Sequence, residues 1–220
     1  MAHPYMRYLK VIILSIYILS ACGTATEEES EEEVIVDTPS HIQIMQMGIQ
    51  KLPQWVDHWE MQGRDFRKNE FTVEQEFQYE PMELPEENSM ESGYPLKKFQ
   101  ISHPEDKGVV DIYDYKVEID PQGRIGLNPD CEVSYYRSNG MKERLLFMGP
   151  AGVFEDAVWI TGDHLLVAGH FQEDEKFTPK LWLIMPDKHT YIQYENPFVT
   201  TSYKTESYLR KKLTTISFNE

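Results

Sequence analysis

Carboxylates are the residues of this chain best suited to chemistry. Asp111 and Asp114 fall on one predicted strand, Asp130 and Glu132 flank Cys131, and Glu155-Asp156 open a strand behind a glycine-rich turn. Two carboxylates at a set separation can serve glycoside hydrolysis as acid and base, and several together can hold Ca²⁺. Asp111, Asp130, Glu132 and Asp156 are therefore the candidate ligand or ion site, provided the strands that carry them converge at one edge. The same acids also suit structural work: capping turns, facing water, or pairing with Arg124, Arg137 and Arg144. Charged residues alternate with apolar ones as on exposed strand faces, which favours that second reading, and no residue is assigned as catalytic. In Asp156-Ala157-Val158-Trp159 the carboxylate can accept from an indole N–H or a backbone amide and so lock its strand.

Other motifs with a mechanism are missing from the sequence: GxSxG, HExxH, the P-loop and the DxDxDG calcium loop. The seven histidines are scattered. His164 and His170 lie on one face of a predicted strand, His103 sits in a turn, and His189 opens a strand. Zinc sites are built from closely spaced ligands with thiolate or carboxylate partners, so no metal and no cofactor is expected.

The amino terminus gives an address. Met1 to Lys10 carries Arg7 and Lys10 and no acid, and Val11 to Leu19 is apolar apart from Ser15. A membrane-spanning helix needs about twenty such residues; a shorter run behind a positive head reads as a secretory signal peptide. Leu19-Ser20-Ala21-Cys22 resembles the lipobox of bacterial lipoproteins. That resemblance implies thioether lipidation of Cys22, cleavage before it, acylation of its new amino group, and a membrane partner held through the lipid anchor. Several acyl chains anchor stably where one is marginal. With Cys22 so committed, Cys131 is the one remaining cysteine and reads as a buried structural thiol.

Six glutamates between Glu27 and Glu33 follow the lipobox. Like charges repel and there is little to bury, so this stretch reads as an extended, solvated spacer. It resembles the acidic signal of surface-exposed lipoproteins of the Bacteroidota, which implies an outer-membrane location facing the exterior. A periplasm-facing anchor is the alternative. The domain plan is a signal peptide over 1–21, the lipidated cysteine and acidic linker over 22–40, and a single β-rich domain over 41–220. Of the chain's 21 basic and 37 acidic residues, 19 and 30 lie beyond residue 40, so the folded part is itself at −11. That disfavours nucleic acid and an anionic lipid surface as partners, since both are bound through basic faces.

The elements follow from periodicity. Met45, Ile49, Leu52, Val56 and Trp59 recur at helical spacing over 41–62. Ser40 is a suitable N-cap, and Pro53 breaks or kinks the run and can open a second short helix. Residues 71–79 alternate as a half-buried strand, and 81–94 reads as a loop. Strands are predicted over 96–102, 108–119, 131–137, 143–148, 155–161, 164–171, 179–185 and 189–195, with turn chemistry between them. Residues 202–213 read as a short helix whose terminal cations suit the dipole.

These eight strands form two sets of four, about 96–150 and 155–197. Phe99–Asp120 corresponds to Val158–Asp174, and Glu132–Pro150 to Lys180–Pro197. The repeat resembles two consecutive blades of a bacterial β-propeller, with Ser102-His103-Pro104-Glu105-Asp106-Lys107-Gly108 in place of the Ser-Pro-Asp-Gly-like turn. Two blades cannot close a ring. The expected fold is therefore mainly β: two four-stranded antiparallel blade-like sheets packed together, with an N-terminal helix and a short C-terminal helix, and with strand 71–79 covering what remains exposed. The whole chain also resembles uncharacterised Bacteroidota lipoproteins, most clearly over Arg144–Ile160. The expected role is a non-catalytic accessory or binding module for a protein or glycan, to which Tyr94, Tyr135, Tyr136, Trp182, Tyr191 and Tyr194 could supply a contact patch, most of them being expected as core or cross-strand pairs. An envelope hydrolase using the clustered acids, and a structural component of an envelope complex, are the alternatives. Intact-mass measurement of the native product should find a chain that begins at Cys22 and carries acyl chains; Cys22→Ser should lack those masses and retain its leader.

Overall fold

The helical run breaks where proline dictates. In the computed structural model, which describes residues 39–213 apart from 89, 91, 92 and 123, α1 spans His41–Ile49 and α2 spans Pro53–Gln62. Ser40 and Gln43 form a capping box at the start of α1, the Gln43 side chain accepting from the Ser40 amide at 2.7 Å. Pro53 occupies the first turn of α2, where its missing N–H costs nothing. The break expected at Pro53 thus divides the run into two helices. The predicted leader, Cys22 and nearly all of the predicted linker lie outside the described residues.

The strands are β1 (Thr72–Gln78), β2 (Met82–Pro85), β3 (Ile101–Ser102), β4 (Gly108–Asp111), β5 (Val117–Ile119), β6 (Ile125–Leu127), β7 (Cys131–Arg137), β8 (Met141–Met148), β9 (Gly152–Thr161), β10 (His164–Glu173), β11 (Lys176–Met185) and β12 (Thr190–Glu195), followed by α3 (Thr205–Lys212). The fold is mainly β and the pairings are antiparallel. Sheet A has the order β1-β12-β11-β10-β9, sheet B the order β2-β8-β7-β4-β3, and β5 pairs with β6 in a separate ribbon.

Each large sheet has five strands where the repeat predicts four. The segment that follows the helices supplies the fifth to both: β1 adds to the outer edge of β12, and β2 to the outer edge of β8. An open edge exposes a row of unpaired backbone groups, and this segment covers one on each sheet. Residues 82–85, expected as loop, are therefore strand. The predicted strand 108–119 also divides. Asp111 Oδ1 accepts from the amides of Tyr113 (2.9 Å) and Asp114 (2.7 Å), which turns the chain out of the sheet before β5.

Cross-strand register assigns the layers. Trp159 opposes Leu165 on one face of sheet A, and there it meets His103 at 4.5 Å and Tyr135 at 5.7 Å between ring centroids. Sheet B lies on that side. Leu166 and Ile160 belong to the other face and receive α1; a Cβ on Gly48 would lie 2.6 Å from Ile160 Cδ1, so glycine permits the approach.

A bulge on β9 ties the helices down. Phe154 opposes Gly169 and Asp156 opposes Ala168, leaving Glu155 as the extra residue. Strict alternation would send residues 155 and 156 to opposite faces; the bulge turns both carboxylates toward the helical layer. Glu155, fully buried, accepts from Trp55 Nε1 at 2.9 Å and from the Tyr203 hydroxyl at 2.8 Å, with His170 Nδ1 at 3.3 Å. Asp156 accepts from the Tyr208 hydroxyl at 2.6 Å, Lys212 Nζ at 2.8 Å and the Ala157 amide at 2.9 Å. The strand lock foreseen for Asp156 thus closes through that amide, and the indole bond belongs to Glu155 and Trp55. Around these groups Trp59 stacks on Tyr203 at 4.0 Å, and truncating a ring buried this fully costs roughly 3–5 kcal/mol.

His58 is buried edge-on against Tyr203 and Tyr208, and its Nε2 has no hydrogen-bond partner among the described residues. Burial holds its pKa below the ordinary 6.5, only partly opposed by Glu155. The unfolded chain therefore binds a proton that the folded one resists. Stability from this group is complete above pH 6.5 and is lost as pH falls from there toward the lowered value. In urea titrations His58→Gln should show a shallower loss of stability between pH 7 and pH 5 than the parent.

Candidate functional site

Strand β7 alternates cleanly. Cys131, Val133 and Tyr135 turn toward sheet A, where Cys131 Sγ lies 3.8 Å from the Gly152 carbonyl. Burial pushes the Cys131 thiol up to about 11, which suits an inert structural thiol. Glu132, Ser134 and Tyr136 turn the other way. Register then adds Phe147, Arg144 and Lys142 from β8, Asp111 from β4, and Met82 and Leu84 from β2 to the same outer face. A register shift on β8 between Arg144 and Leu146 keeps both Arg144 and Phe147 on it.

The centre of this face is charged and internally matched. Glu132, 3 % exposed, accepts from Arg144 Nε at 2.7 Å and from Ser134 Oγ at 2.5 Å, with Lys142 Nζ at 3.5 Å. Arg144 also lies 5.2 Å from the centre of the Phe147 ring, and Lys142 5.4 Å from that of Tyr136. Burial would lower Lys142, but Tyr136, Glu132 and Glu86 outweigh it and hold the ammonium above its ordinary range.

The rim is aromatic and acidic. The turn made by Asp111 presents Asp114 and Tyr115, and Tyr115 meets Phe147 edge-on at 5.9 Å. Tyr115 and Phe147 are 42 % and 47 % exposed, and Met82 and Leu84 more so. Asp114, Tyr115, Asn128, Pro129 and Asp130 line a depression of about 440 Å³. Its wall is fixed by Lys116, whose Nζ donates to the Asn128 carbonyl at 2.6 Å and the Pro129 carbonyl at 3.1 Å, and by Asn128 Nδ2, which donates to the Tyr115 carbonyl at 2.9 Å. Partial burial, and then the charge of Asp111, hold the Asp114 carboxyl above its ordinary pKa. Burial together with Asp114 and Asp111 raises Tyr94 in the same way.

Of the sequence-predicted acids, Asp111 and Glu132 share this face, with Ser134 opposite the first and bonded to the second. Asp130 lines the adjoining depression. Asp156 stands apart, against α3 on the other face of sheet A. Among the predicted aromatic contacts, Tyr136 is on the outer face and Tyr94 is 36 % exposed, whereas Tyr135, Trp182 and Tyr194 are core and Tyr191 stacks on Phe77 at 4.7 Å. Tyr115, Phe147, Met82 and Leu84 were not legible as surface. Phe147 sits within Leu145-Leu146-Phe147-Met148, an unbroken apolar run in which the register shift leaves no trace. A second depression of about 370 Å³ surrounds Lys180, whose ammonium is held by Glu74 at 2.5 Å and Glu195 at 3.2 Å.

The outer face thus offers hydrogen-bond donors in Arg144 and Lys142, acceptors in Asp114 and Asp130, and ring surface in Tyr115 and Phe147. No protein-family model, curated protein or solved structure matches the chain. Among the described residues no helix is long and apolar enough to cross a membrane. Glu132→Gln should cost about 1–3 kcal/mol in urea unfolding, because it removes the buried negative charge that Arg144 and Lys142 face and turns one acceptor oxygen into a donor. The exposed Asp114→Asn should stay within ~0.5 kcal/mol.

Proposed function

We propose that the chain is a lipid-anchored protein of the bacterial outer membrane whose folded part binds a glycan on the outer face of sheet B. The lipobox-like Leu19-Ser20-Ala21-Cys22 and the acidic spacer support the anchorage. The observation that carries the binding reading is the exposed Tyr115–Phe147 pair beside Arg144, Asp114 and Asp130. A sugar ring presents C–H surface to an aromatic ring while its hydroxyls both donate and accept, and this face supplies partners for each of those demands. The net charge of the folded part disfavours nucleic acid as the ligand.

A second reading, hydrolysis of the bound glycan with Asp114 as proton donor, is favoured by the raised pKa of that carboxyl. It requires a second carboxylate able to act, and Glu132 is committed to Arg144. Binding of the full-length chain to an envelope-glycan panel separates the readings. Tyr115→Ala and Phe147→Ala should each weaken binding about tenfold, the loss of one ring contact, while the parent and Asp114→Asn should both release no reducing ends. Release of reducing ends that Asp114→Asn abolishes would favour the hydrolase, and silence across the panel would remove the glycan reading.

A further inference from the structure

Where sheet B meets the β11–β12 end of sheet A, three metal-ligating side chains from distant parts of the chain converge. Glu83 on β2 and Glu143 on β8 are direct cross-strand partners, a pairing of like charges that a sheet ordinarily avoids. His189, in the turn before β12, brings Nε2 to 3.8 Å from Glu143 Oε1. One donor atom from each of Glu83, Glu143 and His189 lies within 4.8 Å of the others. His189 is held there in the left-handed region at φ 51°, with its ring edge-on to Tyr79 at 5.7 Å.

Charge is only part-balanced around them. Arg137 Nε and Nη2 donate to Glu143 Oε2 at 2.9 and 2.6 Å, and Nη1 donates to Asp187 at 2.9 Å. Its Nε is 3.9 Å from Glu83. One guanidinium thus faces the three carboxylates of Glu83, Glu143 and Asp187, and with neutral imidazole the group keeps two negative charges. Arg137 occupies Oε2 of Glu143. Oε1 is left to a Tyr79 hydroxyl at 3.2 Å and to the His189 side.

We propose that Glu83, Glu143 Oε1 and His189 Nε2 bind a divalent cation of the Zn²⁺ class. An imidazole with two carboxylates is a donor set for Zn²⁺ and not for Ca²⁺ or Mg²⁺, which take oxygen alone. Bonds of about 2.0–2.2 Å to all three require the donors to draw together slightly. Glu83 and His189 can do so, their side chains being 39 % and 35 % exposed, while Glu143 beneath them stays fixed by Arg137. Two positive charges then match the two left over. Because Glu83 and Glu143 belong to sheet B and His189 adjoins sheet A, the ion fastens one sheet to the other. The sequence gives no hint of this, since Glu143 lies 60 residues beyond Glu83 and His189 another 46 beyond Glu143.

Calorimetric titration of the metal-stripped full-length chain with ZnCl₂, beside CaCl₂, tests the site. Zn²⁺ should saturate one site and raise the thermal midpoint, with no such shift from Ca²⁺. Glu83→Gln and His189→Asn should each weaken Zn²⁺ by about tenfold or more. Asparagine is chosen because it tolerates the left-handed backbone, and both positions are exposed enough to leave the fold intact. No saturable binding at millimolar Zn²⁺, or unchanged affinity in either variant, overturns the assignment.

Discussion

The Glu155 carboxylate on the β9 bulge is the fixed point of this fold. A charge with no exposed surface must be matched by donors that cannot drift. Those donors are Trp55 from α2 and Tyr203 from the segment leading into α3, with His170 from β10 alongside. The backbone carbonyl of the same residue takes the Tyr113 hydroxyl at 2.8 Å, from the turn that leaves sheet B. One residue therefore holds both helical elements and the second sheet in register with the first. The Tyr203 hydroxyl lies within hydrogen-bond distance of both carboxylate oxygens, and Trp55 adds a second donor to Oε2.

A second constraint comes from the edges. Two four-stranded units side by side would leave backbone rows open. The chain between the helices and the first repeat closes one on each sheet by running as two strands. That arrangement also sets Glu83 opposite Glu143 and draws Arg137 and His189 toward them, so the seam between the sheets is electrostatic where the interior beside it is aromatic. The outer face of sheet B follows from the same geometry. With its inward residues given over to Trp159 and the core, its other side must carry whatever the strands present to solvent, and β7 presents acid and hydroxyl where β8 presents cation and ring.

Much of the secondary structure was legible because it depends on neighbours in sequence. Ser40 with Gln43, the proline at 53 and the turns between the two sets of strands are local signals, whereas the half-buried alternation read over 71–79 is interrupted by a bulge between Val73 and Gln75 and β1 is largely exposed. The paired units 96–150 and 155–197 do correspond to the cores of sheets B and A. Of the two fifth strands, β1 was legible as a strand over 71–79, whereas β2 was read as loop because it is only four residues within a polar, proline-bearing stretch and is strand by virtue of its pairing with β8. The division of 108–119 was missed for a related reason: Asp111 reads as a strand residue until its carboxylate is seen to take two amides just downstream. At the candidate site, Asp111, Asp130 and Glu132 were named for their chemistry and the sheet gathers them on or beside one face. Asp156 does not join them, because β9 belongs to the other sheet and carries it against α3.

Charge distribution and the strand and helix periods were determined by the sequence by itself, the periods through forces that act over a few residues. Tertiary structure alone decided which acids meet which cations, which aromatic residues stay exposed, and where Glu83, Glu143 and His189 come together. Those outcomes rest on register and bulges. A shift of one residue between strands reverses the face of every side chain that follows, while leaving the local pattern of polar and apolar residues unchanged.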